Sequence, residues 1–406
     1  MSYHYIRRFA ELRATDVAVV GGKNASLGEM VAGLGAQGIR VPNGFATTAQ
    51  AYRDFLAHNR LDEKIRAILE GLDPRDIANL ERAGSNIRRW IGGAQLPLLL
   101  AQELAAAYAE LAAEYGPAPD VAVRSSATAE DLPEASFAGQ QDSFLNIRGI
   151  EAVLAICPRV YASLFNDRAI SYRASRGYDH LRVALSIGVQ KMVRSDLASA
   201  GVMFTLDTES GFRDVVVVNA AYGLGENVVR GTVNPDEFYV FKPTLLAGKR
   251  PILKRQLGDK AQKLIYADAS SGGATTRNVE VAVTDRRRFT LSDDELLTLA
   301  GYGAAIERHY SASFGRPMPM DIEWAKDGVS GKLFIVQARP ETVRSRESAN
   351  VYEVYHLERR GTVLASGKSV GRKIAAGVAR SIQSVADMQQ FKPGEVLVTD
   401  MTDPDW

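Results

Sequence analysis

The sequence predicts a layered α/β (α+β) fold of more than one domain. Three observations predict it. The chain has 406 residues, more than one core usually organises. Its 46% hydrophobic content is enough for sizeable cores. From Val121 onward, short apolar strand-like runs alternate with helical stretches, the texture of sheets covered by helices.

The elements follow in order. Residues 15–40 read as a strand-like VAVV, a Gly21-Gly22-Lys23 turn, and a helix patterned by Leu27, Met30, Val31 and Leu34. Residues 47–115 read as mainly helical, with amphipathic stretches around Tyr52–Leu56, Ile65–Leu69 and Leu98–Leu111. Gly116-Pro117-Ala118-Pro119 breaks that region. VAVR, ALSIGVQKMV, GVMFT, DVVVVNAAYG, EFYVF, DIEWA and KLFIVQARP then read as strands, and Arg159–Arg176 as a helix. Thr342–Ser348 is polar and apolar-poor, and is the expected linker. After it, Gly361–Gly377 is rich in small residues, and GEVLVTDMTDPDW reads as a strand running into a loop. The run stops there at Trp406, which makes a truncated chain the expectation.

Charge excludes some partners. Lys+Arg total 49 and Asp+Glu 48, a net charge of +1, which gives no electrostatic footprint for nucleic acid. No run approaches the ~18 apolar residues that a membrane helix needs, and the N-terminus lacks a signal-peptide pattern. The one cysteine, Cys157, allows no intrachain disulfide and fits a reducing cytoplasm; among AVLAICPRVY it reads as a small buried hydrophobe. The five histidines are scattered, with no Cys/His cluster and no nucleophile pattern.

Several segments carry possible chemistry. Gly21-Gly22-Lys23-Asn24 places glycines and a lysine at a helix start, where backbone N–H groups attract anions; a structural turn explains it equally. The glycine spacing there is not that of a Walker A loop, and Ser366-Gly367-Lys368-Ser369 misses that pattern by one residue. Val123-Arg124-Ser125-Ser126 ends a strand with a fork of donors suited to phosphate. The small-residue loop Ala127–Gln141 follows, with Glu130, Asp131 and Gly139-Gln140-Gln141. Lys326-Asp327-Gly328 to Gly331-Lys332 is a hairpin signal. Centred near Ser330, it sets Glu323 across from Gln337 and puts Asp321 and Glu323 on one face, with Gln337 and Arg339 sharing a face of the next strand. Carboxylate and amide oxygens make a hard-ligand set for Mg²⁺, and Arg339 can neutralise a phosphate there. A solvent-facing polar stripe is the plainer reading. Gln190-Lys191-Met192 can present an amide and a thioether to an adenine, or simply end a core strand. Tyr222-Gly223-Leu224-Gly225-Glu226 is a tight turn whose carboxylate can hold ribose hydroxyls, without Rossmann spacing.

GGKNASLGEM, VRSSATAEDLPEASFAGQQDSFLNI, SLFNDRAISYR, VQKMVRSD, GVMFTLDTESGFRD, VNPDEFYVFKPT, DIEWAKDG and IVQARPET together resemble the nucleotide-binding part of the phosphoenolpyruvate synthase family of PEP-utilising enzymes. The resemblance covers essentially the whole chain. It implies an ATP-grasp type nucleotide-binding domain with one lobe over residues 1–200 and a second over 201–345. A linker and an incomplete phosphohistidine swivelling domain would follow over 346–406. In that family a histidine attacks the β-phosphate of ATP, AMP leaves, and the phosphoryl group is carried to pyruvate. The resemblance implies that Lys23, Arg124 and Arg339 hold phosphates and that Glu323 and Gln337 hold Mg²⁺. It also sets Gln190 and Met192 against adenine and Glu226 on ribose, with Asp321 and Thr205 as neighbours of the site. The family's Thr-Cys-His run is absent and the pyruvate barrel is missing, so this stretch is expected to bind Mg·ATP without completing turnover. Its partners are the pyruvate and phosphohistidine domains of an intact enzyme. Two alternatives remain: the nucleotide domain of a rifampicin-type antibiotic phosphotransferase, and a non-catalytic nucleotide-sensing module.

Overall fold

The structure is a computed structural model that describes residues 3–128, 143–267, 273–341, 356, 358–359, 361–363 and 374–399. Glu130, Asp131, the Gly139–Gln141 run, the Thr342–Ser348 linker, Ser366–Ser369 and the chain end at Trp406 lie outside the described residues.

The first part of the chain contains β1 (Ile6–Arg8), α1 (Val17–Leu34), β2 (Gly44–Thr47), α2 (Ala49–His58), α3 (Leu61–Leu69), α4 (Ile77–Gly92), α5 (Leu98–Tyr115), β3 (Asp120–Ala127), β4 (Ser143–Arg148), α6 (Ile150–Ala162), α7 (Asp167–Ser175) and β5 (Leu185–Lys191). Its strands form a five-stranded antiparallel sheet in the order β1-β2-β5-β3-β4. One face of that sheet is apolar. Val121, Val123, Ile187 and Val189 point into a core shared with Tyr52, Phe55, Ile65, Ile87, Leu104 and Tyr161 from α2 to α6. Alternation along each strand turns Ala122, Arg124, Gly188 and Gln190 to the opposite face. Helices from residues 47–115 cover the apolar face of this sheet, as their amphipathic pattern requires.

The chain continues with β6 (Ser199–Phe204), β7 (Val215–Tyr222), α8 (Glu226–Val229), β8 (Asp236–Phe241), α9 (Lys242–Leu246), β9 (Ile252–Gln256), β10 (Gln262–Tyr266), β11 (Thr276–Glu280), α10 (Val283–Arg286), α11 (Asp293–Phe314), β12 (Met320–Lys326) and β13 (Leu333–Pro340). Six of these strands form a second antiparallel sheet, β13-β12-β6-β7-β8-β9, while β10 and β11 pair separately. The domain boundary expected at 200/201 falls inside β6. α11 carries a Ser292/Glu295 capping box and a left-handed Gly315 at its end. It buries Leu296, Leu299, Ile306 and Tyr310 against Met203, Val216, Val218, Ile322 and Trp324. Far along the chain, β14 (Val378–Ser381) pairs in parallel with β15 (Glu395–Val398), which confirms the strand expected near residue 395.

Two sequence expectations change. Val17–Val20 is helical rather than a strand, and Gly21 (φ 74°, ψ 166°) kinks the chain before the helix resumes. Val20 is wholly buried in the second core, where tertiary packing overrides the β preference of valine. The single helix expected over Arg159–Arg176 is two, because the backbone turns extended at Asn166 (ψ 145°) between α6 and α7. Cys157 is buried as expected, and burial pushes its thiol up to about 12.

Candidate functional site

α1 meets both sheets where it restarts after Gly21. Gly21 lies so close to β3 that an added Cβ would sit 2.3 Å from Ser126 Oγ and 2.4 Å from its carbonyl oxygen. Only glycine fits there, on steric grounds and because its φ is positive. Asn24 N–H donates to Ser126 Oγ (3.2 Å), and Asn24 Nδ2 donates to Ser186 Oγ (2.9 Å) in β5. Two residues on, Ser26 Oγ donates to Ala338 O (2.6 Å) in β13. The N-terminal end of this helix segment therefore lies between the first sheet and the second, next to Lys23. Lys23 is half-buried in that turn.

The hairpin β12–β13 has the register that its turn signal implied: Asp321 pairs with Arg339 and Glu323 with Gln337. The pairing then shifts, with Trp324 opposite Ile335, so Val336 is an extra residue. Leu333 and Ile335 point into the second core, and strict alternation would send Gln337 there too. The bulge flips the phase and brings Gln337 beside Glu323. Gln337 Nε2 donates to Glu323 Oε1 (3.2 Å). Arg339 donates to Asp321 Oδ2 through Nε (2.8 Å) and Nη2 (2.7 Å). Burial pushes the Asp321 carboxyl above its ordinary range, and the Arg339 guanidinium opposes that shift.

The two sheets touch at these groups. Arg124 Nη2 on β3 lies 3.6 Å from Glu323 Oε2 on β12. Arg124 Nε is buried and makes no hydrogen bond among the described residues. A carboxylate pair, an amide that can turn its oxygen inward and arginines within reach are a donor set that fits a hard divalent cation bridged to phosphate oxygens. Among the described residues no group of three or more His, Cys, Asp or Glu side chains is arranged around a metal; Gln337 would have to supply the third protein oxygen.

The remaining expected residues divide. Met192 packs with Ala122, Leu145, Leu224 and Leu264 in a small apolar cluster. Leu145 and Leu264 also line a cavity of about 330 Å³ with Glu226, Asn227, Thr276 and Asn278. The Met192 cluster and Glu226 thus share one wall. Lys23, Arg124 and Arg339 are outside that cavity's lining. Glu226 begins α8 and pairs with Arg230 (2.5 Å). Gln190 is 4% exposed, and its Nε2 donates to Pro42 O (3.4 Å). Thr205 lies inside the fold. It has no exposed surface, and its hydroxyl accepts from Met320 N–H (2.8 Å). It braces the start of β12.

Sequence reading missed Asp120 and Tyr266. Tyr266 on β10 donates to Asp120 Oδ2 (2.5 Å), and Lys191 on β5 lies 2.8 Å from Asp120 Oδ1. Arg194 stacks over the Tyr266 ring at 4.8 Å. This network fixes the β10–β11 hairpin beside the Met192 cluster. The residues are up to 146 apart in sequence, so no local pattern announces it.

A helix start and one arginine facing a carboxylate across two sheets suit a nucleotide's phosphates. Residues 17–359 match the pyruvate phosphate dikinase, AMP/ATP-binding domain family, and the chain belongs to it. It is 57% identical to "Phosphoenolpyruvate synthase" of Pseudomonas aeruginosa (strain UCBPP-PA14) over 99% of this chain and 50% of that protein. The Neisseria meningitidis (serogroup B, strain MC58) protein of the same name is 55% identical over 100% of this chain and 51% of its own length. That of Escherichia coli K12 is 52% identical over 98% and 49%. The chain spans about half the length of these relatives. Among the described residues no helix is long and apolar enough to cross a membrane.

Proposed function

We propose that this chain is the ATP-binding part of a phosphoenolpyruvate synthase, an ATP-grasp type unit that holds Mg·ATP in the cleft between its two sheets. The supporting observation is the meeting of Arg124 with Glu323 across that cleft, beside the Glu323/Gln337 and Asp321/Arg339 pairs. In this reading the triphosphate lies against Lys23, Arg124, Arg339 and the N–H groups that follow Gly21. The adenine rests on Met192 near Gln190, and the ribose reaches Glu226. Glu323 and Gln337 would hold Mg²⁺ with Asp321 next to them; the ion supplies charge neutralisation at the phosphates. Thr205 acts through β12 only.

The protein groups stabilise spreading negative charge on a transferring phosphoryl group, and preorganised positive charge in a dry cleft is the main protein contribution to such a step. The full-length protein would cleave ATP to AMP, pass a phosphoryl group through a histidine on a further domain, and convert pyruvate to phosphoenolpyruvate, releasing phosphate. Residues 346–406 would begin the swivelling domain that carries that histidine.

Calorimetric titration of Mg·ATP into the chain tests the reading. Saturable binding near one site per chain is expected. Glu323→Ala should weaken it by roughly 10-fold or more, the effect of deleting about 1.4 kcal/mol of interaction. Unchanged affinity in the variant would remove the hairpin from the site.

A further inference from the structure

We infer that Lys242 on α9 is a positioning residue: from outside the cleft it fixes the Thr205 peptide, and through it the start of β12 that carries Asp321. This rests on the proposed nucleotide site and extends its support to a buried lysine on another element.

β6 and β12 pair in register as far as Phe204 and Asp321. One step further the ladder changes. Thr205 N–H donates to Met320 O (3.0 Å), as an antiparallel pair requires. The return bond, from Met320 N–H to the Thr205 carbonyl, is replaced. Met320 N–H donates instead to the Thr205 hydroxyl (2.8 Å), and the Thr205 carbonyl accepts from Lys242 Nζ (2.7 Å). The carbonyl is thus diverted from β12 to α9 as the chain departs into the loop 206–214. Lys242 also holds the far end of that loop, because its backbone N–H donates to Asp214 O (2.8 Å).

Lys242 is 9% exposed and Thr205 has no exposed surface. The ammonium makes a second bond to Glu307 Oε2 on α11 (2.7 Å), which supplies the counter-charge that a buried ammonium needs. A charged donor also makes the stronger kind of hydrogen bond to the carbonyl. Without it the Thr205 carbonyl is left buried and unpaired, which costs free energy. Its regular partner in the ladder is Met320 N–H. Recovering that bond rotates the Thr205 peptide, releases its hydroxyl and shifts Met320. Asp321 is the next residue, and its carboxylate accepts two bonds from Arg339 (2.8 and 2.7 Å). A shift at Met320 therefore reaches a pair at the site. A plainer role for Lys242, stapling α9 to α11 through Glu307, would stabilise the fold without reaching that pair, and experiment separates the two.

The test is calorimetric titration of Mg²⁺ with a non-hydrolysable ATP analogue into the full chain, well below the melting temperature of each variant. Lys242→Met should weaken binding by about 10-fold, the lower end of what outer partners of a metal–ligand site contribute. Glu307→Gln removes the charge but keeps an amide oxygen for Nζ, so Lys242 stays on Thr205. That variant should melt lower than wild type and bind as wild type does. Exchange of the Asp207 amide, which donates to Phe212 O across the loop (2.8 Å), should quicken in Lys242→Met and not in Glu307→Gln. If Lys242→Met does not fold, Lys242→Met combined with Glu307→Met leaves no charge behind and carries the same expectations. Wild-type affinity in the folded methionine variant overturns the inference, as does unmoved exchange at Asp207 or an equal affinity loss in Glu307→Gln. No binding by wild type removes the nucleotide site and the positioning role together. Binding by wild type with affinity unmoved in the methionine variant removes the positioning role alone.

Discussion

Lys260 carries its ammonium into a position with no exposed surface, 2.5 Å from Asp236, which is equally buried. Such a pair persists only when its remaining hydrogen-bonding capacity is filled. Here it is: Asp236 also accepts Gly258 N–H (2.9 Å), Thr290 N–H (2.8 Å) and the Thr290 hydroxyl (3.0 Å), and Lys260 donates to Gly258 O (2.9 Å). The lysine adopts φ 44° to reach it. Lys260→Met should cost about 3–5 kcal/mol, because it leaves a carboxylate buried without its counter-ion. A chemical denaturation midpoint measures it, and a loss below about 1 kcal/mol, the worth of a surface pair, would contradict this account. In the sequence Lys260 is one lysine in a polar run and Asp236 lies 24 residues away, so nothing local marks the pair. Glu323 and Gln337 were legible for the opposite reason: a short turn fixes which residues face each other, so their partnership is written within one hairpin.

At the scale of elements, the same contrast holds between runs with a strong period and runs whose fate depends on distant neighbours. β7 and the helices over 49–115 were legible from apolar patterning alone. Val17–Val20 was not, since four apolar residues suit a strand or a buried helix and the core of α11 and β12 decides. The placement of β10 was also hidden, because a tyrosine and an aspartate from separate regions dock it. That docking has a pH signature. Burial pushes the Asp120 carboxyl up, but donation from Lys191 and Tyr266 outweighs it and holds the group below its ordinary value. A depressed carboxyl contributes stability that is complete above the unfolded value of about 4 and is lost as pH falls through the folded value. Tyr266 runs the other way. Burial, and then the Asp120 charge, push its phenol far up. Its contribution is complete below about pH 10 and lost as pH rises above that. Melting temperature should therefore fall below about pH 4, and Asp120→Asn should flatten that acid limb relative to wild type at pH 3–6. An unchanged limb would mean that Asp120 does not govern the docking.

Across the whole molecule, one helix joins the two cores. Val20, Ala25, Leu27, Met30 and Leu34 of α1 belong to the second core, while Asn24 is bonded to Ser126 and Ser186 of the first sheet. Glu29 accepts from His309 Nε2 of α11 across 2.7 Å, and Ser26 reaches Ala338 of β13. A helix committed to both sides couples their unfolding, because neither sheet can open without exposing part of it. Tryptophans stand on either side as reporters: Trp90 packs against the first core, and Trp324 is wholly buried in the second. With Trp406 replaced by phenylalanine, the tryptophan-fluorescence midpoint of each variant that retains Trp90 alone or Trp324 alone should coincide with the same variant's circular-dichroism midpoint, whatever the loss of a buried tryptophan does to the melting temperature itself. Asn24→Ala removes the bond to Ser186, whose hydroxyl keeps its donation to Thr47 O, at a cost of about 1 kcal/mol. Its effect should fall on the link, not on either core, so the Trp90 and Trp324 transitions should separate in that background. Transitions already apart in the parent would show that α1 belongs mechanically to one sheet. Transitions that stay together in Asn24→Ala would place the coupling in the Arg124–Glu323 contact or in the rest of α1.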